Sequence, residues 1–134
     1  MKCVLTIRNR TRYLAFVRSW VAAFAHTVGR RRFSKRLQTA VSLALIEAID
    51  NAIFHVRPPK SKGRMEIPIR VGLAVGNDVI EITVADRGHG FRLMNDDIPD
   101  PKATHGRGLF LIRRLMTRVE TRRERGWHIV RMTS

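Results

Sequence analysis

Three stretches of the chain carry residue types and spacings that suit chemistry. Glu47, Asn51 and His55 stand four residues apart. On a helix turning about 100° per residue, that spacing keeps all three within an arc of about 80°. The edge they form borders the helix's apolar face, and a carboxylate and an amide stacked there suit a general base and a metal ligand. Mg²⁺ takes a few hard oxygen donors alongside phosphate and water. Asp50 sits beside them but projects at a different angle. The second stretch, Asp86-Arg87-Gly88-His89-Gly90-Phe91, directly follows a strand pattern. An Asp at the end of a buried strand accepts hydrogen bonds from an amino group on a planar heterocycle. Gly88 and Gly90 let the backbone approach such a ring closely. In the third, Gly106-Arg107-Gly108-Leu109, small residues open a helix. Its free N–H groups and positive dipole end suit a phosphate chain, and Arg107 adds a charge-assisted contact. Each stretch alone also reads as ordinary structure: an amphipathic edge, a strand-ending turn, a glycine-containing helix start.

The elements that must position these residues follow from periodicity. Residues 2–7 alternate weakly and predict a first strand, with Val4 and either Leu5 or Ile7 facing inward. From Thr11 to Val28 the apolar positions Leu14, Val17, Val21, Phe24 and Val28 recur at helical spacing, and Gly29 ends the helix. Ser34 is placed to cap a second helix with the apolar face Leu37, Val41, Ala44, Leu45, Ala48 and Ala52, ending before Pro58-Pro59. Residues 57–64 read as a basic loop. Beyond it the period falls to two: Ile67, Ile69, Val71, Leu73 and Val75 share a face, although Pro68 and Gly72 weaken the strand. Gly76-Asn77 predicts a tight turn, and Ile80, Ile82 and Val84 alternate inward on the returning strand. Residues 87–105 are loop-like. A third helix from Gly106 carries Leu109, Ile112, Leu115 and Met116, and 117–132 reads as two short strands around Arg125-Gly126. The order β-α-α-β-β-α-β-β indicates an α+β fold: a two-layer α/β sandwich with a mixed, mainly antiparallel sheet and its helices on one face.

Length and composition bound the rest. A chain of 134 residues, 44% hydrophobic, is expected to form one domain over 1–134 with a real core. Its one cysteine, Cys3, excludes an internal disulfide framework and reads as a small hydrophobe. No apolar run is long enough to span a bilayer, and arginines at 8, 10 and 12 argue against a signal peptide, so a cytoplasmic protein is expected. The net charge of +15 is unevenly placed. Residues 1–46 hold ten basic residues and no acid, 107–134 hold eight against Glu120 and Glu124, and 47–106 is nearly balanced. Such ends attract an acidic partner, nucleic acid being one. Trp20, Phe16, Phe24 and Phe54 are expected in the core. His26, His89, His105 and His128 are too scattered for a metal set, and His55 is read as a helix-end residue.

In order, helix E-x-x-x-N, strand D-x-G-x-G and helix-opening G-x-G-L resemble the N box and the two glycine boxes of the GHKL (Bergerat) ATP-binding fold. DNA gyrase and the histidine kinases share that fold. The chain is most similar to the bacterial anti-sigma-factor serine/threonine kinases. Residues 43–55, with Glu47 and Asn51, and 106–112, with Gly106, Arg107, Gly108 and Leu109, read like that family's motifs, and the similarity takes in nearly the whole chain. It implies ATP and Mg²⁺ as cofactors. Glu47 would be the base that helps an acceptor serine attack ATP, and Asn51 the Mg²⁺ ligand. Asp86 would bind the adenine amino group, with Gly88 and Gly90 shaping the pocket, and the 106–109 stretch would hold the phosphates beneath a short lid at about 91–105. It also implies two partners, a sigma factor and a STAS-domain anti-anti-sigma protein, and allows a homodimer. Phosphorylation of the STAS serine would free the kinase to hold sigma. The alternative is a non-catalytic ATP-gated binding module whose basic surface holds an acidic protein or nucleic acid. On the first reading nucleic acid is not required but not excluded, and the charge predicts an acidic docking face on the partner.

Overall fold

The period-two segments form one five-stranded sheet: β1 Lys2–Arg8, β2 Pro68–Val75, β3 Ile80–Asp86, β4 Arg118–Glu124 and β5 Trp127–Thr133. The computed structural model describes residues 1–55, 67–88 and 112–134, with only the backbone of Phe54 and His55. The strand order is β1-β2-β3-β5-β4, and all four ladders among the described residues are antiparallel. Register decides which alternate residues form the core. Leu5, Val71, Val84 and Val130 stand in one row across four strands, and Cys3, Leu73, Ile82 and Met132 in the next. This corrects one expectation: Val4 does not face inward but is 61% exposed, while Cys3, Leu5 and the buried Ile7 turn toward the core. Apolar residues at 3, 4, 5 and 7 leave the strand's own pattern ambiguous. Pairing resolves it, since Val4 lies opposite Gly72 on the other face.

Two helices cover the inner face. A 3₁₀ turn, Thr11–Tyr13, leads into α1, Leu14–Val28, which buries Val17, Val21, Phe24 and Ala25. Gly29 ends it at φ 94°, its N–H donating to the Ala25 carbonyl at 3.0 Å. Phe16, expected in the core, is 54% exposed. It lies about 120° around the helix from the centre of the buried stripe. Helix α2, Lys35–His55, begins as anticipated, with Ser34 Oγ accepting the Leu37 N–H at 3.1 Å. It buries Val41, Ala44, Leu45, Ala48, Ile49 and Ala52 against α1 and β3, the alanines permitting close approach to the sheet. Phe24 and Phe33 meet edge to face across the helix junction, with ring centroids 6.1 Å apart. Residues 112–115 form a further helical segment whose Ile112 and adjoining Met116 join the same core.

The turns set the strand registers. In the 76–79 connection the left-handed residue is Asp78 (φ 60°) rather than Gly76, whose N–H donates to the Val79 carbonyl at 2.9 Å. Arg125 and Gly126 both take positive φ (51° and 81°), the signature of a two-residue type I′ hairpin. Gly72 has a packing reason: a Cβ there would come within 2.4 Å of Thr83 Oγ1 on the neighbouring strand. The basic loop, the predicted lid and the opening of the third helix fall outside the described residues. Among those described, no helix is long and apolar enough to cross a membrane.

Candidate functional site

Helix α2 presents its polar edge where it crosses the sheet. Ala44, Ala48 and Ala52 are buried, and one position round from them Glu47 and Asn51 are half-buried, stacked one turn apart. Asp50 projects outward and is exposed. The Glu47 pKa is raised, first because partial burial disfavours its charge and second because the Asp50 carboxylate repels it. A carboxyl tuned upward is a better proton acceptor at neutral pH than an ordinary surface glutamate.

Beneath this helix lies β3, whose last residue is Asp86. Alternation places Asp86 on the same inner face as Ile80, Ile82 and Val84, and it is 2% exposed. A buried carboxylate is expensive unless donors meet it. Here Oδ1 accepts the Gly88 N–H at 2.7 Å, and Oδ2 lies 3.5 Å from Nδ1 of His128, the register partner of Asp86 on β5. Arg123, next in the same row on β4, donates to the Gly88 carbonyl at 2.7 Å. The Asp86–Gly88 turn is therefore held by its own backbone and by Arg123 of β4, with His128 of β5 packed beside the carboxylate. Each carboxylate oxygen accepts more than one bond, so Asp86 keeps capacity for a further donor, such as the exocyclic amino group of a base.

The structure thus brings Glu47, Asn51, Asp86 and Gly88 onto two packed elements, α2 and the end of β3. Gly90, Gly106, Arg107, Gly108 and Leu109 lie outside the described residues. No group of three His, Cys, Asp or Glu able to hold a metal occurs among the described residues. The donors fit a metal held by the Asn51 amide oxygen together with phosphate, which needs no such cage. Sequence reasoning missed the supporting role of His128 and Arg123. Their alternation with Val130 and Thr121 marks them as inward-facing, but which residues they meet depends on strand pairing.

Comparisons with known proteins bear on the family and the fold. The family described as the histidine kinase-like ATPase domain matches residues 7–134. A serine-protein kinase RsbW from Oceanobacillus iheyensis is 30% identical over 132 aligned residues, which take in 91% of this chain and 79% of that protein. Among solved structures, the RsbU and RsbW domains of a Mycobacterium tuberculosis protein superpose with a TM-score of 0.69 at 16% identity. That match covers 99% of this chain, which spans about a third (32%) of the mycobacterial one. The histidine kinase domain of a blue-light activated kinase from Erythrobacter litoralis superposes with a TM-score of 0.53 at 16% identity, covering 91% of this chain and 58% of that one. Both structural matches speak to the fold.

Proposed function

Because the chain belongs to the histidine kinase-like ATPase family, in the branch of the anti-sigma-factor serine kinases, we propose that it is an ATP-dependent protein serine/threonine kinase. In this reading it phosphorylates a STAS-type anti-anti-sigma protein and sequesters a sigma factor in the cytoplasm. The observation that carries the proposal is Glu47: half-buried, tuned upward, one turn before Asn51, on the helix packed over the strand that ends in Asp86.

The residues divide the work. Asp86, fixed by the Gly88 N–H, would receive the adenine amino group. Asn51 would hold Mg²⁺ through its amide oxygen, and Gly106, Arg107, Gly108 and Leu109 would receive the phosphates. Bound Mg-ATP supplies the phosphoryl group and the metal charge that neutralises it. As the serine oxygen bonds to the γ-phosphorus and the bond to the departing ADP breaks, Glu47 would take the serine proton, and its raised pKa suits that transfer.

The test is phosphate transfer from Mg-ATP to the cognate STAS protein. Glu47→Ala is expected to keep nucleotide affinity while transfer falls by about 10²- to 10⁴-fold. Undiminished transfer would remove Glu47 from the base role. Nucleotide binding without transfer by the unaltered chain would favour the non-catalytic, ATP-gated module.

A further inference from the structure

The helix-free face of the sheet carries a feature that the nucleotide site does not use. Among the described residues no element covers this face. Most of its charges are already matched: Glu81 pairs with Arg131 at 2.5 Å, Glu124 with Arg122 at 3.2 Å, and Glu120 with Arg118. One end differs. There the ring of half-buried Trp127 meets two exposed arginines, Arg70 from β2, whose guanidinium carbon is 4.3 Å from the ring centroid, and Arg87, at 4.5 Å. Arg87 also lies over the hairpin turn, 3.5 Å from where a Cβ on Gly126 would sit. Neither Arg70 nor Arg87 meets a carboxylate among the described residues.

Both guanidiniums lie over the indole, and among the described residues no carboxylate meets their N–H groups. Guanidinium N–H groups bind carboxylates in a bidentate fork, and an indole that fixes both side chains reduces the entropy lost when an anion arrives. The surrounding chain, at +15, adds long-range attraction for acidic partners. Single-stranded nucleic acid uses open aromatic faces as stacking platforms, whereas two guanidiniums already lie over this ring.

We propose that the Arg70–Trp127–Arg87 stack is a docking site for an acidic segment of a partner protein, its carboxylates bridging the two guanidiniums. The site stands apart from the kinase reading, and the test needs no nucleotide.

Trp20 and Trp127 are the only two tryptophans, so the full-length Trp20→Phe protein reports on Trp127 alone. It is titrated, at about 0.1 M salt, with a Glu-rich synthetic peptide, its Gln-for-Glu counterpart and oligo(dT), following indole emission. The Glu peptide is expected to change the emission saturably, and the Gln peptide to leave it unchanged. Arg70→Gln combined with Arg87→Gln is expected to weaken binding at least about tenfold, with an unchanged circular-dichroism melt showing that the fold survives. Absence of a saturable change would overturn the proposal. So would a double variant that binds as tightly as the parent, or oligo(dT) binding more tightly than the peptide at the same arginines. Light scattering that shows a dimer broken by the double variant would assign the stack to a second copy of the chain, and would overturn it as well.

Discussion

At one end of the sheet, consecutive residues of two paired strands serve opposite faces in opposite ways. Asp86 and His128 turn inward, are nearly inaccessible and lie 3.5 Å apart. Their neighbours Arg87 and Trp127 turn outward and stack in partial contact with water. The inner pair is costly to bury, and the 2.7 Å hydrogen bond from the Gly88 N–H fixes one oxygen of its carboxylate. The outer group pays little desolvation and relies on flat packing. The same two-residue period yields a rigid site on one side and an accessible contact surface on the other.

The largest effect should come from the core itself, at adjacent positions of β5. Met132 is fully buried beside Ile82, whereas Arg131 is exposed and paired with Glu81. Met132→Ala is expected to cost about 2–5 kcal/mol, and Arg131→Ala about 0.2–1 kcal/mol, the value of an exposed ion pair. Urea unfolding measures both. Equal costs would mean that the outward face is packed as tightly as the inner one, which would erase the contrast.

The inner face was largely legible because period and burial coincide there. Ile80, Ile82 and Val84 alternate without interruption, and the β3 pattern delivers Asp86 to the correct side. The α2 edge was equally legible, since helical spacing alone puts Glu47 beside Asn51. Val4 and Phe16 were misplaced because an apolar residue next to an apolar stripe has no local cue for its direction. Only the Gly72 pairing and the rotation of α1 decide them. The His128, Arg123 and Trp127 contacts were hidden for another reason. They join strands distant in sequence, and β5 inserts between β3 and β4 in the sheet, an order that no local pattern encodes.

A smaller effect should separate the two residues of the turn. Asp86→Ala leaves the Gly88 N–H without its acceptor and takes the carboxylate from His128, at a cost of about 1–3 kcal/mol in stability. Nucleotide affinity should fall by at least about tenfold, a loss of about 1.4 kcal/mol in binding. Arg87→Ala, one residue on, should leave nucleotide affinity within about twofold, because its side chain lies on the opposite face against Trp127. Calorimetric titration with ATP measures both. A matching loss in the two variants would show that the outer stack holds the turn in its binding shape.

The smallest effect concerns how Glu47 is tuned. Its pKa is raised in the folded protein, by burial above all and by Asp50 second. The folded state therefore holds the Glu47 proton to a higher pH than the unfolded chain does. The ionised carboxylate costs stability once the pH rises above the unfolded pKa, and the cost is complete above the folded one. Glu47→Gln removes that charge, so it should unfold at a slightly higher temperature than the parent at neutral pH while losing phosphate transfer, and the gain should vanish at low pH. Transfer in the parent should fail on acidification at a higher pH than an ordinary glutamate would dictate. Asp50→Asn removes only the secondary cause. It should shift that acid limb part of the way down while leaving most of the elevation in place, because the helix still holds Glu47 against the sheet. A limb that returned all the way to the ordinary glutamate range would make the neighbouring charge, rather than burial, the main determinant.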